Sequence, residues 1–226
     1  MFSAATWNVQ FGTHVRLAAE HIERTERLRS SDVLLLQEMD EEGTDWLSEQ
    51  LGWQYTYHAI SAHRQSGRPF GNAVLSPHPV TPLAPAALPR SARFRGHPRH
   101  LTVAQIALPA MSVAVGSVHL ETPWLSLSQR VEQLARALDT FDDYQLPVVV
   151  GGDLNTFTRR ARRLMSDVGD GFVLREPPES TLRWRRMEFR LDHFATRGLE
   201  VDDQWVGAPT PASDHQPFWA SFTPLG

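Results

Sequence analysis

Short uninterrupted apolar runs alternate along the chain with segments where apolar residues recur every three or four positions. Val33-Leu34-Leu35-Leu36 and Val148-Val149-Val150, the latter opened by Pro147, are too short for helices and predict strands buried on both faces. Ser3 to Val9, Gly71 to Ser76, Leu101 to Leu108, Ser112 to His119, Arg190 to Thr196 and Pro217 to Phe222 read as further strands. Helical spacing covers His14 to Ser30, where Val15, Ala18, Ala19 and Ile22 share one stripe. A second helix is predicted over Thr44 to Leu51, stopped by Gly52. A third opens at Ser126, where Gln129 completes a capping-box signature, and it should bury Val131, Leu134, Ala135 and Leu138. Pro77, Pro79, Pro82, Pro85, Pro89 and Pro98 predict a long surface loop. Strands interleaved with a few helices place the chain in the α/β class, with mixed sheet content.

The 226 residues suit one domain. With 41% hydrophobic and 21% charged residues, disorder, collagen and coiled coil are excluded. Cysteine is absent, which removes disulfide scaffolds, thiolate zinc sites, iron–sulfur clusters and cysteine nucleophiles together. No run approaches the roughly 18 apolar residues of a membrane span. The first ten residues lack a basic segment and a long apolar stretch, so no signal peptide is expected. A cytoplasmic monomer is the expectation.

Charge refines this picture. The net charge of −4 argues against a protein that coats nucleic acid. Lysine is absent, so all 22 basic residues are arginine, and they are unevenly spread. Gln50 to Leu120 holds no acid but six arginines: Arg64, Arg68, Arg90, Arg93, Arg95 and Arg99. Arg159 to Arg190 holds nine arginines against five acids. Two basic segments on an acidic body suggest a surface that meets an anionic ligand, and arginine's planar fork suits phosphate oxygens. A solvated arginine-rich surface is the alternative.

Several predicted strands end in polar residues, where α/β folds bind ligands. The first strand ends at Asn8, and Val33–Leu36 runs into Gln37 and Glu38. Val113–Val118 ends at His119, and Val148–Val150 runs through Gly151-Gly152 into Asp153 and Asn155. Ser213-Asp214-His215 precedes the final strand. Such oxygen ligands suit Mg²⁺ or Mn²⁺ rather than a thiophilic metal.

The segments Thr6-Trp7-Asn8, Leu36-Gln37-Glu38, Gly71-Asn72-Ala73-Val74-Leu75-Ser76, Val118-His119-Leu120, Gly152-Asp153-Leu154-Asn155, Arg190-Leu191-Asp192-His193-Phe194 and Ser213-Asp214-His215 stand in this order over residues 6 to 215. In this the chain resembles the endonuclease/exonuclease/phosphatase superfamily, whose fold is that of pancreatic deoxyribonuclease. The resemblance implies a four-layer sandwich of two mixed β-sheets packed face to face and flanked by helices. It also implies a metal-dependent phosphoesterase in a single domain over residues 1–226, with no room for an added binding domain.

By the same resemblance, Glu38 is the principal Mg²⁺ or Mn²⁺ ligand, with Asn8 beside it and Asp214 completing the shell directly or through water. Asn155 donates to a nonbridging phosphate oxygen, while Asp153 orients the nucleophile or helps protonate the leaving group. His215 is the general base and Asp192 holds its imidazole, although Asp153 is an alternative base. His119 hydrogen-bonds the phosphate or acts as acid. For the substrate, Asn72 borders the cleft or serves a turn, and Arg99, Arg159, Arg162 and Arg163 contact phosphates or form a solvated face. Trp124 and Trp184 stack on a base, touch lipid or pack within their loops. His193 should point to the opposite sheet face and be structural. The arginine segments favour a nucleic-acid phosphodiester over a phospholipid or small phosphoester. A catalytically dead binding module is the least favoured reading.

Overall fold

The computed structural model describes residues 1–62, 67–90 and 97–225. The strands are β1 (Phe2–Asn8), β2 (Val33–Met39), β3 (Gln54–Ala62), β4 (Pro69–Ser76), β5 (Val80–Pro82), β6 (Ala86–Leu88), β7 (Arg99–Ala107) and β8 (Ser112–His119). They continue as β9 (Val148–Asp153), β10 (Val173–Arg175), β11 (Leu182–Trp184), β12 (Met187–Phe189), β13 (Asp192–Arg197), β14 (Leu199–Val206) and β15 (Phe218–Pro224). The α-helices are α1 (Val15–Arg24), α2 (Glu26–Arg29), α3 (Glu41–Leu51), α4 (Leu127–Asp139) and α5 (Arg159–Ser166).

Two sheets carry the fold. One runs β14-β15-β1-β2-β4-β3, and the other runs β10-β13-β9-β8-β7-β5 with β6 also on β7. The β1–β2 and β8–β9 pairs are parallel and the other pairs antiparallel, so both sheets are mixed. Strand alternation then builds the layers. On β2, Val33 and Leu35 enter the core between the sheets, while Leu34 and Leu36 pack under α1 and α3. On β8 and β9, Val113, Val115 and Val149 face the same central core, and Ala114, Val148 and Val150 pack under α4 and α5. The result is the α/β sandwich of helix, sheet, sheet, helix.

Local differences from the sequence expectation have physical causes. The predicted helix over His14 to Ser30 is two helices broken at Thr25, whose backbone is extended. Ile22 and Leu28 are both buried, yet on one straight helix they would lie about 120° apart. The α3 helix starts a turn before Thr44, because Asp40 caps it by accepting from Gly43 N at 2.7 Å. It ends at Gly52, in left-handed backbone at φ 66. The proline-rich stretch is not all loop, since β5 and β6 pair with β7. Prolines are tolerated there because such short strands lie at the sheet edge. Strands β3 and β14, both with several exposed residues, carry no unbroken apolar run. On α4, Leu134, Ala137 and Leu138 are buried, but Val131 and Ala135 only partly so; Arg130 and Gln133 are buried in their place.

Candidate active site

The strand ends converge because the parallel pairs place them at one edge. Asn8 stands in register with Gln37, His119 with Asp153, and Asp153 with Asp192 across the antiparallel β9–β13 pair. Between Leu36 and Met39 the β2–β4 register shifts, and Glu38 sits at φ 57. Such a bulge re-aims a side chain, and Glu38 here lines the cleft. Asn155 likewise sits at φ 52 just beyond β9.

A cleft of about 360 Å³ is lined by Asn8, Glu38, His119, Asp153, Asn155, Asp214 and His215, with Phe11, Phe70, Arg99, Trp124 and Phe157 around them. Asp192 is buried behind His215, its Oδ2 2.9 Å from His215 Nδ1. His215 Nε2 is 3.7 Å from Asp153 Oδ2, which is 3.5 Å from His119 Nε2. His119 Nδ1 is in turn 3.7 Å from Glu38 Oε1. Asn8 Nδ2 lies 3.3 Å from Glu38 and 3.4 Å from Asp153. The turn holding His215 is tied down: Ser213 Oγ donates to Asn8 O at 2.6 Å, and Trp7 Nε1 donates to His215 O at 2.9 Å.

Burial and neighbouring charge set the protonation of this cluster. Burial pushes the Glu38 carboxyl up. Burial, opposed by His215 and aided by Asp192, raises Asp153 to about 7. His119 is pushed well below the ordinary imidazole value by burial and by Arg99, and so is neutral. Burial pulls His215 down, but Asp192, Asp153 and Asp214 outweigh it and hold it at about 10.

The donor set fits a hard divalent cation. Glu38 and the exposed Asp214 offer carboxylate oxygens to one cleft. Among the described residues no three His, Asp or Glu side chains form a full cage, and Mg²⁺ commonly takes only one or two carboxylates and keeps its waters. Asn8 Oδ1 accepts from Gln10 N at 3.1 Å, so its amide oxygen is engaged by the backbone.

Other sequence-predicted residues are redistributed. Asn72 does not border the cleft. It is buried between the sheets and donates to His100 O at 2.9 Å and Ser117 O at 3.2 Å. With Gln37, which donates to Ser117 Oγ at 3.0 Å, it forms a polar seam that registers the two sheets. Arg99 does line the cleft, paired with buried Glu121 at 3.1 Å. Arg159 and Arg162 line a separate cavity, and Arg163 lines neither. Arg68 faces away, 2.7 Å from both Asp40 and Glu42. Arg90 pairs with Glu132. Acids distant in sequence thus answer much of the first basic segment; Arg64, Arg93 and Arg95 lie outside the described residues. Trp124 is 71% exposed at the cleft. Trp184 is exposed on the β11–β12 hairpin under the Arg185 guanidinium, and does not line the cleft. His193 is buried, with Nδ1 3.0 Å from Leu191 O.

Arg130 and Gln133 were not legible in advance. Arg130 NH1 donates to Asn155 O, and its Nε has no partner among the described residues. Gln133 accepts from Glu121 N at 3.0 Å. A signal existed: both interrupt the apolar stripe of α4.

The sequence profile of the Endonuclease/Exonuclease/phosphatase family matches residues 5–215. The chain belongs to this family. Its members are hydrolases of phosphoester bonds and generally depend on a divalent metal. A UPF0294 protein of Vibrio cholerae is 29% identical over 206 residues, covering 88% of this chain and 70% of its own. D. rerio TDP2, solved with a single-strand DNA product, superposes with a TM-score of 0.74 at 17% identity over 98% of each chain. The mannosyl-6-phosphatase Bt3783 of Bacteroides thetaiotaomicron superposes at 0.68 and 14% identity, over 99% of this chain and 100% of its own. At these identities the two structures share the fold. No helix among the described residues is long and apolar enough to cross a membrane.

Proposed function

We propose that this family member is a Mg²⁺- or Mn²⁺-dependent phosphodiesterase that hydrolyses nucleic acid. The observation that carries the reading is the Asp192–His215 pair, 2.9 Å apart, set against Asp153 in a cleft that also holds Glu38, Asn155 and His119. Glu38 and Asp214 would hold the cation, with Asn8 beside them. Bound there, it would neutralise phosphate charge and polarise the P–O bond.

The chain's own groups then divide the proton work. His215 Nε2 takes a proton from the attacking water, while Asp192 accepts from Nδ1 and stabilises the imidazolium. As water oxygen bonds to phosphorus, the bond to the leaving oxygen breaks. Asp153, raised to about 7, can protonate that oxygen. One Asn155 Nδ2 hydrogen is spent on Leu120 O at 3.0 Å; the second can reach a nonbridging oxygen. Neutral His119 favours hydrogen bonding to phosphate over acid catalysis. Exposed Trp124 at the cleft offers a face on which a base can stack. The likeness to a TDP2 solved with single-strand DNA product supports the nucleic-acid reading. The phosphatase neighbour keeps monoesters within the test.

The test is a hydrolysis panel of single-stranded DNA, RNA, sphingomyelin vesicles and sugar phosphates with Mg²⁺ or Mn²⁺. Nucleic acid should be cleaved, chelation should abolish the activity, and added metal should restore it. Glu38→Ala should bind metal poorly by calorimetry. Full activity in excess chelator, or cleavage confined to lipid or monoester, overturns the reading.

A further inference from the structure

Beside the cleft lies a second cavity of about 480 Å³, lined by Arg159 and Arg162 of α5, Arg183 of β11 and Arg190 beyond β12. It shares a wall with the cleft. Phe157, Leu182 and Leu191 line the cleft, while Arg159, Arg183 and Arg190, one or two residues along the chain, line the cavity. Adjacent residues of an extended strand face opposite ways, so the β11 backbone separates the two spaces. Leu182 is bridged to His215, and Phe157 packs edge-on against Phe189 at 5.1 Å, which anchors this wall to the catalytic turn.

The cavity has guanidinium donors in excess. Arg162 Nε is 3.0 Å from Glu176, and Arg190 NH1 is 3.9 Å from the same carboxylate oxygen. Arg183 pairs with Glu188 at 3.2 Å. Arg159 has no carboxylate partner among the described residues. Arg162 NH1 also donates to Thr156 O at 3.3 Å and Arg190 NH2 to Pro178 O at 2.7 Å, yet each guanidinium carries five N–H donors and keeps some over. Four arginines around one space, with only Glu179 and Glu188 as acids in the lining, match an anion with several acceptor oxygens.

We propose that this cavity is a second phosphate subsite, which binds a neighbouring phosphate of the chain whose scissile diester lies in the cleft. The proposal rests on the phosphodiesterase reading above and deepens it. A substrate with a single phosphate cannot fill both spaces. A polynucleotide repeats its phosphate along the backbone and can cross the Phe157 wall. Contacts of this kind position a chain without reading its sequence.

The experiment measures binding of a short fluorescein-labelled single-stranded oligonucleotide by anisotropy across a salt series in excess chelator, where no cleavage occurs. It compares the parent with Arg159→Ala/Arg183→Ala and with Glu179→Gln, the folding of each checked by melting temperature. The double variant should weaken binding by roughly tenfold and flatten the log–log salt slope by about 0.7 for each lost phosphate contact. Glu179→Gln should tighten binding, which a merely structural role for these residues would not produce. In Mg²⁺, kcat/KM for the oligonucleotide should fall in the double variant relative to kcat/KM for bis(p-nitrophenyl) phosphate. Unchanged affinity and slope in both variants, or an equal fall for both substrates, overturns the subsite. If binding responds as expected but the parent does not cleave nucleic acid, the arginine cavity binds strand phosphates, while the nuclease reading, and with it the pairing of the cavity to a scissile diester, falls.

Discussion

Glu38 and Asn155 hold left-handed backbone, at φ 57 and 52, although neither is glycine. Such conformations cost on the order of 1–3 kcal/mol and persist only where the surroundings over-determine them. Asn155 is held by Asp153 Oδ1 on its N at 2.8 Å, by Leu120 O on its Nδ2, and by Arg130 on its O. Both strained residues line the cleft, which is where stored strain can aim a side chain. His215 is the sharpest single-residue test. With its imidazole held at about 10, the neutral base form grows as pH rises. Hydrolysis by the parent should therefore increase from acid through neutral pH. His215→Ala should lower kcat by roughly 10²–10⁴ and flatten that rise. Steady-state rates across pH decide it; a variant that keeps most of its rate hands the base role to Asp153.

Among the elements, β9 and α4 position the site most directly. A Cβ built on Gly152 would lie 1.7 Å from Val118 O on the parallel neighbour β8, and one on Gly151 2.7 Å from Leu35 and the Phe194 ring. Glycine is required here by close approach. The same β8–β9 register sets His119 opposite Asp153. Gly152→Ala must push the strands apart and should destabilise the protein by on the order of 3 kcal/mol, an overpacking cost. It should also lower kcat, because Asp153 moves with its strand. Urea unfolding and steady-state kinetics test this, and a variant as stable as the parent would contradict the strand geometry. On α4, Arg130 and Gln133 clamp the backbone after β9 and after β8, so one helix holds the loops that carry Asn155 and Glu121 at the cleft.

At the scale of the whole molecule, stability should depend on a histidine outside the chemistry. His193 is fully buried, and burial outweighs its bond to Leu191 O to push its imidazole to about 4. As pH falls through the ordinary histidine value, the unfolded chain takes up a proton that the folded chain refuses until about pH 4. Stability is therefore lost between roughly pH 6.5 and 4, by up to about 3 kcal/mol. Asp153, raised to about 7, works in the opposite sense over the same range, since burial disfavours its charge. Comparison with His193→Gln isolates the histidine. The difference in unfolding free energy between pH 7 and pH 4.5, from urea titrations, should shrink in the variant; equal acid losses in both proteins would refute the assignment.

The sequence alone determined the strands buried on both faces, because runs such as Val33–Leu36 can satisfy two cores only from an extended backbone. It also determined the family motifs, because Gly152-Asp153-Leu154-Asn155 and Ser213-Asp214-His215 are local strings. Strands β3 and β14 were hidden, since edge strands facing water carry no continuous apolar signal. Over Gln50 to Leu120 the charge map overstated the free positive charge for a related reason. Like-charged arginines near one another in sequence are sorted in space by acids far along the chain, as Arg99 is by Glu121 and Arg68 by Asp40. Asn72 sits in a motif, yet its place in the seam between sheets depends on carbonyls of β7 and β8. Only tertiary structure decided these partners, because a hydrogen bond or ion pair is fixed by distance in space and sequence records only distance along the chain.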